Sequence, residues 1–185
     1  RAIEIYQTSC DLIAMLPKDD VTKLLIIQAI DQLNTISKTV ENLRQQMDQL
    51  AQTLPEYEVV LSMNGVGKSL GPQLIAEIGD VTRFNNRTAL TTFAGVDPGA
   101  NQSGKYEAQS SKTSKRGSPH LRRTLFRIMQ FLLMNKPQDD AVYRFIDKKR
   151  SEGKPYYVYM TAGANKFLRI YYARVRQYLE SKHYY

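Results

Sequence analysis

The sequence predicts a mainly α protein: a long coiled-coil helix, then a helical domain with a helix-hairpin-helix element and a basic loop. Three observations lead there. Ile26, Ala29, Leu33, Ile36, Val40, Leu43, Met47 and Leu50 alternate spacings of three and four, the a/d pattern of a supercoiled helix. Proline, glycine and capping residues punctuate the remaining chain at intervals suited to helices. Asn64-Gly65-Val66-Gly67 stands between two short segments with helical apolar patterning. The predicted division is 1–53 for the coiled-coil and linker helices and 54–185 for the helical domain. Within the second part, the helix-hairpin-helix spans about 56–80, the basic Ser-rich loop 97–118 and the C-terminal helices 119–182.

Each element has a local reason. Residues 2–16 read as a helix that stops before Pro17, because proline disfavours helical geometry in the residue before it. Lys18-Asp19-Asp20 is a turn with an N-cap candidate. The helix over about 20–52 then carries the heptad stripe, with mostly Gln, Asn, Asp, Lys and Thr between its apolar positions. Such a helix either packs on its own domain or forms a coiled coil, dimeric or folded back on the first helix. Its length without an internal break favours the coiled coil. Pro55 ends it. In the hairpin, Val60, Leu61, Leu70, Leu74, Ile75 and Ile78 are the core candidates. Gly65 and Gly67 permit a tight turn and a close backbone approach. The amides that open the second helix, with Lys68 beside them, suit a phosphate.

Asn85 or Asn86 caps a short helix ending at Gly95. Ser118-Pro119 is a start signal for the next helix, whose apolar face holds Leu121, Leu125, Ile128, Met129, Leu132 and Leu133. Pro137 ends it. Helices over about 138–151 and 156–181 complete the chain, with Asp139-Asp140 read as a helix N-terminus. The tyrosines of the last helix read as core and rim packing rather than a base-stacking platform.

Composition narrows the function. The 185 residues carry a formal charge of +8 and an isoelectric point near 9.5, which favours an anionic partner, nucleic acid first and an anionic membrane second. Hydrophobic residues make up 42% of the chain, enough for a core. No run of apolar residues is long enough to span a bilayer. The single cysteine, Cys10, excludes an internal disulfide framework and a Cys-based zinc site, and the two histidines pair with no metal-type cluster. No metal site is predicted. Arg1 already lies in helix-like sequence without an initiator Met, so the chain reads as a fragment of a longer protein.

The segment from Asp97 to Phe126 concentrates charge and hydroxyls. Lys105, Lys112, Lys115, Arg116, Arg122 and Arg123 face a single acid after Asp97, Glu107. Three readings fit. The segment is a solvated loop, or an arm that grips phosphates, with cations neutralising them and hydroxyls donating to them. In the third, one serine attacks a phosphodiester. That serine would need a base and stabilisation of developing charge. Composition does not choose among Ser103, Ser110, Ser111, Ser114 and Ser118, and no His-Asp pair lies at a suitable spacing.

Several blocks in order carry a resemblance: Asn64 to Gly67, Glu77 to Phe84, Phe93 to Pro98, Ser103-Gly104, and Ser114 to Arg123. Together with the tail from Gly153 to Val175, they resemble the C-terminal transposase domain of the IS-one-ten family of insertion-sequence recombinases, whose relatives include pilin-gene invertases. The likeness covers roughly residues 55–180. Asn64 departs from it, standing where the family has Pro, and is expected to alter the turn slightly.

The resemblance implies a two-part recombinase. An N-terminal RNase-H-like domain holds four acids and Mg2+, a coiled coil links the parts and mediates assembly, and the C-terminal domain carries a serine that bonds covalently to DNA. By position that serine is Ser103. A structured bridge RNA guides characterised members, so DNA and a guide RNA are implied partners, with homo-oligomers formed through the coiled coil, no membrane, and a prokaryotic cytoplasmic, nucleoid-associated location. The acidic tetrad has no counterpart here. Metal-bound acids of the absent domain would help activate Ser103, and this chain alone would have little or no activity. Lys105, Lys112, Lys115, Arg116, Arg122 and Arg123 would grip phosphates, with Gly65, Gly67 and Lys68 making a backbone contact. The loop is expected to be partly disordered without nucleic acid. A non-catalytic nucleic-acid-binding module is the alternative. A purely structural coiled-coil protein would leave the basic loop idle.

Overall fold

The computed structural model describes residues 1–10, 19–98 and 113–182, and the backbone of 102–103 and 106–107. The chain is mainly α. It divides into two compact units, Arg1–Gln45 and Gln46–Tyr185.

The first unit holds α1 (Ala2–Cys10) and most of α2 (Asp20–Ala51). Asp19 starts α2 by accepting the Thr22 amide at 2.7 Å, one of the donors a helix start leaves unpaired. Those bonds hold the Asp19 carboxyl below its usual range. The predicted end of the first helix, 11–16, lies outside the described residues. The stripe from Ile26 to Leu50 is uncovered, its large apolar residues 40–70% exposed. Ile3, Ile5 and Tyr6 of α1 are exposed too, so among the described residues the first helix does not cover the stripe.

The second unit builds one core from α3 (Tyr57–Leu61), α4 (Leu70–Ile78), a 3-10 turn at Val81–Arg83, α5 (Arg87–Ala94), α6 (Pro119–Asn135), α7 (Ala141–Ser151) and α8 (Tyr156–Lys182). α8 is the hub, packing on α3, α5, α6, α7 and the 3-10 turn. Phe167, Leu168 and Tyr171 of α8 meet a core that includes Leu125, Ile128 and Met129 of α6, all at most 1% exposed. Burying one such aliphatic or Phe side chain stabilises by about 1.5–3 kcal/mol. A Cβ on Gly163 would come within 2.6 Å of Ile146, so α8 needs glycine there to reach α7.

The helix starts follow their caps. Asn86 accepts the Ala89 amide, and Ser118 accepts the Leu121 amide with Pro119 following. Gly95 closes α5 in the left-handed region, with φ 65°. α7 begins later than the predicted 138 because Asp140, not a residue before it, takes the Val142 and Tyr143 amides. Of the apolar positions predicted for α6, Leu133 alone is only partly buried; Leu61 of α3 is likewise partly buried.

Between α5 and α6 the chain forms a short antiparallel pair, β1 (Gln102–Ser103) with β2 (Tyr106–Glu107), Ser103 opposite Tyr106. This segment carries no local signature of pairing. It lacks the alternating apolar run by which strands are recognised.

Candidate nucleic-acid interface

The basic loop leaves and rejoins the helical body through a closed neck. Ser114 Oγ donates to Asp97 Oδ1 at 2.7 Å, and the Ser114 amide donates to the Asp97 carbonyl at 3.2 Å. Pro98 and Thr113 form an isolated antiparallel bridge. One step further in, the Ser118 amide donates to the Phe93 carbonyl at 2.7 Å. A Cβ on Gly117 would lie 2.1 Å from that carbonyl oxygen, so no side chain fits at this position.

The predicted residues fall into three groups. Ser103 ends β1, at the last rung before residues 104–105; its side chain, Lys105 and Lys112 lie outside the described residues. Lys115, Arg116 and Arg123 are exposed, and Lys115 has a φ of 51°, where the chain bends into α6. Arg122 is different. Its Nη1 donates to the Ala94 carbonyl at 3.0 Å and the Gly117 carbonyl at 3.3 Å, which satisfies an orphan carbonyl of α5 and ties the neck to α6.

The hairpin also divides. Gly67 and Lys68 are exposed, and a Cβ on Gly67 would meet nothing within 4 Å. Gly65, with φ 83°, faces inward: a Cβ there would lie 3.0 Å from the Ile128 carbonyl oxygen and 3.1 Å from Leu132. Its role in this fold is close packing of the turn on α6.

The block from Glu77 to Phe84 is a scaffold. Glu77 Oε1 accepts from Thr124 Oγ1 at 3.0 Å and from Gln73 Nε2 at 2.9 Å, joining α4 to α6. Its Oε2 is buried without a partner among the described residues. Asp80 caps the 3-10 turn, and its bonds from the Thr82 hydroxyl and amide hold its carboxyl below the usual range. Arg83 donates to the Ile78 carbonyl and lies over the rings of Phe84 and Phe93, 4.6 and 4.7 Å from their centroids.

In front of Glu77, between α4 and α6, lies an open concavity of about 210 Å³ lined by Gln73, His120, Arg123, Thr124 and Arg127. Arg123 is among the cations expected from the sequence to hold phosphate; Gln73, Thr124 and Arg127 are not. The signal was present: 120, 123, 124 and 127 recur at helical spacing and share one face. Among the described residues, the ion pairs within 4 Å are Lys149–Glu152 and Arg176–Glu180. Lys68, Lys115, Arg116, Arg123 and Arg127 therefore have no described carboxylate partner. An array of unneutralised cations around a neck and a concavity attracts a polyanion.

Residues 57–144 match the family model described as "Transposase IS116/IS110/IS902 family". This segment, just under half of the chain, is similar to that transposase family. The chain is 28% identical over 151 residues to the pilin gene-inverting protein of Moraxella bovis, covering 80% of this chain and 46% of that protein. It is 23% identical over 173 residues to the insertion element IS110 uncharacterized 43.6 kDa protein of Streptomyces coelicolor, covering 94% and 42%. The insertion element IS900 uncharacterized 42 kDa protein of Mycobacterium paratuberculosis is 30% identical over 122 residues, covering 65% and 30%. The chain thus spans less than half the length of these curated relatives. The family match contains the scaffold block, the neck and all of α6, and ends within α7.

No helix of the described residues is long and apolar enough to cross a membrane. Nor do the described residues contain a group of three or more His, Cys, Asp or Glu placed to hold a metal ion.

Proposed function

We propose that this chain is the transposase-domain part of a DNA recombinase that cuts and rejoins DNA through a serine–DNA phosphodiester at Ser103. The observation that carries the reading is the family match around a cationic loop neck, with Ser103 at the end of β1. In the proposed step, the Ser103 hydroxyl oxygen attacks a DNA phosphorus. The bond from that phosphorus to the departing strand's oxygen breaks. The hydroxyl proton passes to a base, a proton is returned to the departing oxygen, and that strand leaves as a free hydroxyl. Rejoining is the reverse attack by an incoming strand's hydroxyl, which releases Ser103.

Lys115, Arg116 and Arg123, with Lys105 and Lys112, would hold phosphates near this centre, as would the open turn at Gly67 and Lys68. The base and the Mg2+ are assigned to residues outside this chain, in a resolvase-like domain of the full-length protein. A structured guide RNA would select the DNA. The uncovered stripe of α2 would pair with a second copy as a coiled coil, because a/d residues left in water are stabilised by an identical seam.

The test is covalent capture on DNA by the full-length protein. Ser103→Ala is expected to abolish both strand cleavage and the protein–DNA adduct, whereas Ser111→Ala retains them. An adduct that survives Ser103→Ala and disappears with Ser111→Ala would transfer the nucleophile to Ser111. An adduct formed by neither the parent nor any variant, with binding intact, would favour a non-catalytic binding module.

A further inference from the structure

The outer face of α6 carries features that the loop and its serine do not explain. At its N-terminal end, His120, Arg123 and Arg127 line the concavity against Gln73. The same face continues one turn on to Phe131 and then Met134, which are 44% and 73% exposed. Along its flank, Phe126 lies 6.4 Å from the ring of Tyr157, and Tyr157 meets Tyr156 edge-on at 5.2 Å. Gln130 donates to the Tyr156 hydroxyl at 3.4 Å, which links the start of α8 to α6.

The tyrosines of α8 are thus of two kinds. Tyr171 and Tyr172 are buried in the core, whereas Tyr157 is 73% exposed. Packing accounts for the first pair only. An aromatic cluster with Tyr157 in solvent and Phe126 half-buried, beside guanidinium groups with no described carboxylate partner, has a specific chemical complement: a chain that offers negative charge at regular intervals and flat π faces between. Duplex nucleic acid offers the charge but hides the faces. A single strand offers both, and stacking on aromatic side chains beside a cationic track is how such strands are held without sequence readout. Two guanidinium groups, Arg123 and Arg127, line the concavity, and none of its lining residues is a carboxylate, so the seat is positive.

We propose that the outer face of α6, with the first turn of α8, is a binding surface for single-stranded nucleic acid. A backbone phosphate sits in the concavity of His120, Arg123 and Arg127, and neighbouring bases stack on Phe126 and Tyr157. This rests on the nucleic-acid reading above and adds to it a strand type, a location and a mode of contact. The strand is either DNA or RNA, since both present the same phosphates and π faces.

The 185-residue chain contains no Trp, so Tyr157→Trp places a single indole reporter on the platform. Single-stranded DNA and RNA oligonucleotides, an abasic strand of equal length and a duplex would be titrated against it, with labelled-oligonucleotide anisotropy recorded in parallel. Base-containing single strands are expected to quench the indole. The abasic strand is expected to bind about tenfold more weakly and to leave the emission unchanged. Tyr157→Ala is expected to weaken single-strand binding by about tenfold while leaving duplex binding and the salt slope in place. Arg127→Ala is expected to lower the slope of log affinity against log salt by about 0.7. A preference between the DNA and RNA arms identifies the natural strand. Equal affinity for abasic and base-containing strands, or binding without quenching, overturns the platform while leaving the nucleic-acid reading intact. Failure of every oligonucleotide to bind overturns both.

Discussion

α6 and α2 are both patterned with apolar residues at helical spacing, yet they meet opposite environments. The 17 residues of α6 include six that are buried, five of them apolar, whereas the 32 residues of α2 include one, Ala51. The widths of the stripes explain the contrast. On α6, Leu121, Leu125, Ile128, Met129 and Leu132 form a broad face that other helices cover from several sides. From Leu33 to Leu50, α2 keeps close to an a/d line, the narrow seam that suits one partner helix. Nearer its start, Leu24, Leu25, Ile27 and Ile30 widen the line and are also exposed. Periodicity reports that a face needs covering; its width reports how many neighbours will do it.

Paired substitutions test the contrast most strongly. Leu125→Ala, in the core of α6, is expected to destabilise the second unit by about 2–5 kcal/mol, read from the midpoint of urea unfolding. Leu33→Ala in α2 is expected to shift the same transition by less than about 0.5 kcal/mol, measured at concentrations where the chain is monomeric. Equal effects would mean that the α2 stripe is covered within one chain, and the comparison would collapse.

The next largest effect concerns association. Leu33→Lys together with Ile36→Lys is expected to remove self-association in sedimentation equilibrium. Each apolar side chain lost from a seam removes about 1.5–3 kcal/mol, so dimerisation weakens by tenfold or more. If the doubly substituted chain sediments as the parent does, α2 is not the assembly surface.

Gly65 sharpens the contrast from the side of the packed helices. Its φ of 83° and the 3.0 Å approach of the Ile128 carbonyl leave no room for a methyl group. Gly65→Ala is expected to cost about 1–3 kcal/mol in thermal or urea unfolding, while Gly67→Ala, which meets nothing, costs much less. A reversed order would show that the turn contacts α6 through Gly67 instead.

The smallest effect is electrostatic and occurs in both units. Asp19 at the start of α2 and Asp80 before the 3-10 turn both have carboxyls held below the usual carboxylate range by hydrogen bonds from Thr22 and Thr82 respectively. A depressed carboxyl adds stability that is fully present above the unfolded value of about 3.9 and is lost as pH falls through the folded one. Both sites are solvent-exposed, so the gain is small. Asp80→Asn keeps a capping oxygen and is expected to flatten the acid limb of the thermal melt slightly between pH 5 and pH 3. An unchanged limb would place the acid sensitivity elsewhere.

Much of the helical frame was legible because its signals are local. Asn86, Ser118 and Pro119, Gly95 and the stop at Pro137 each act within a turn of where they stand. Less legible were features that depend on distant partners. Arg122 looked like a phosphate ligand because its charge is visible in the sequence, but the Ala94 carbonyl it bonds is 28 positions away. Gly65 read as a surface turn until α6 was packed against it. Gln73 and Glu77 gain their place beside Thr124 only when α4 lies on α6. The choice of Ser103 came from likeness to a family, since nothing in charge or spacing separates it from the other serines of the loop.

The neck at Asp97–Ser114 and Phe93–Ser118 has a consequence for how this protein can diversify. The body itself brings the two ends of the loop together, so the cost of closure does not fall on the residues between, and it would grow only slowly with added length. Sequence between Pro98 and Thr113 is therefore a cassette. It can be lengthened, shortened or exchanged for that of a relative while the helices beneath keep their packing.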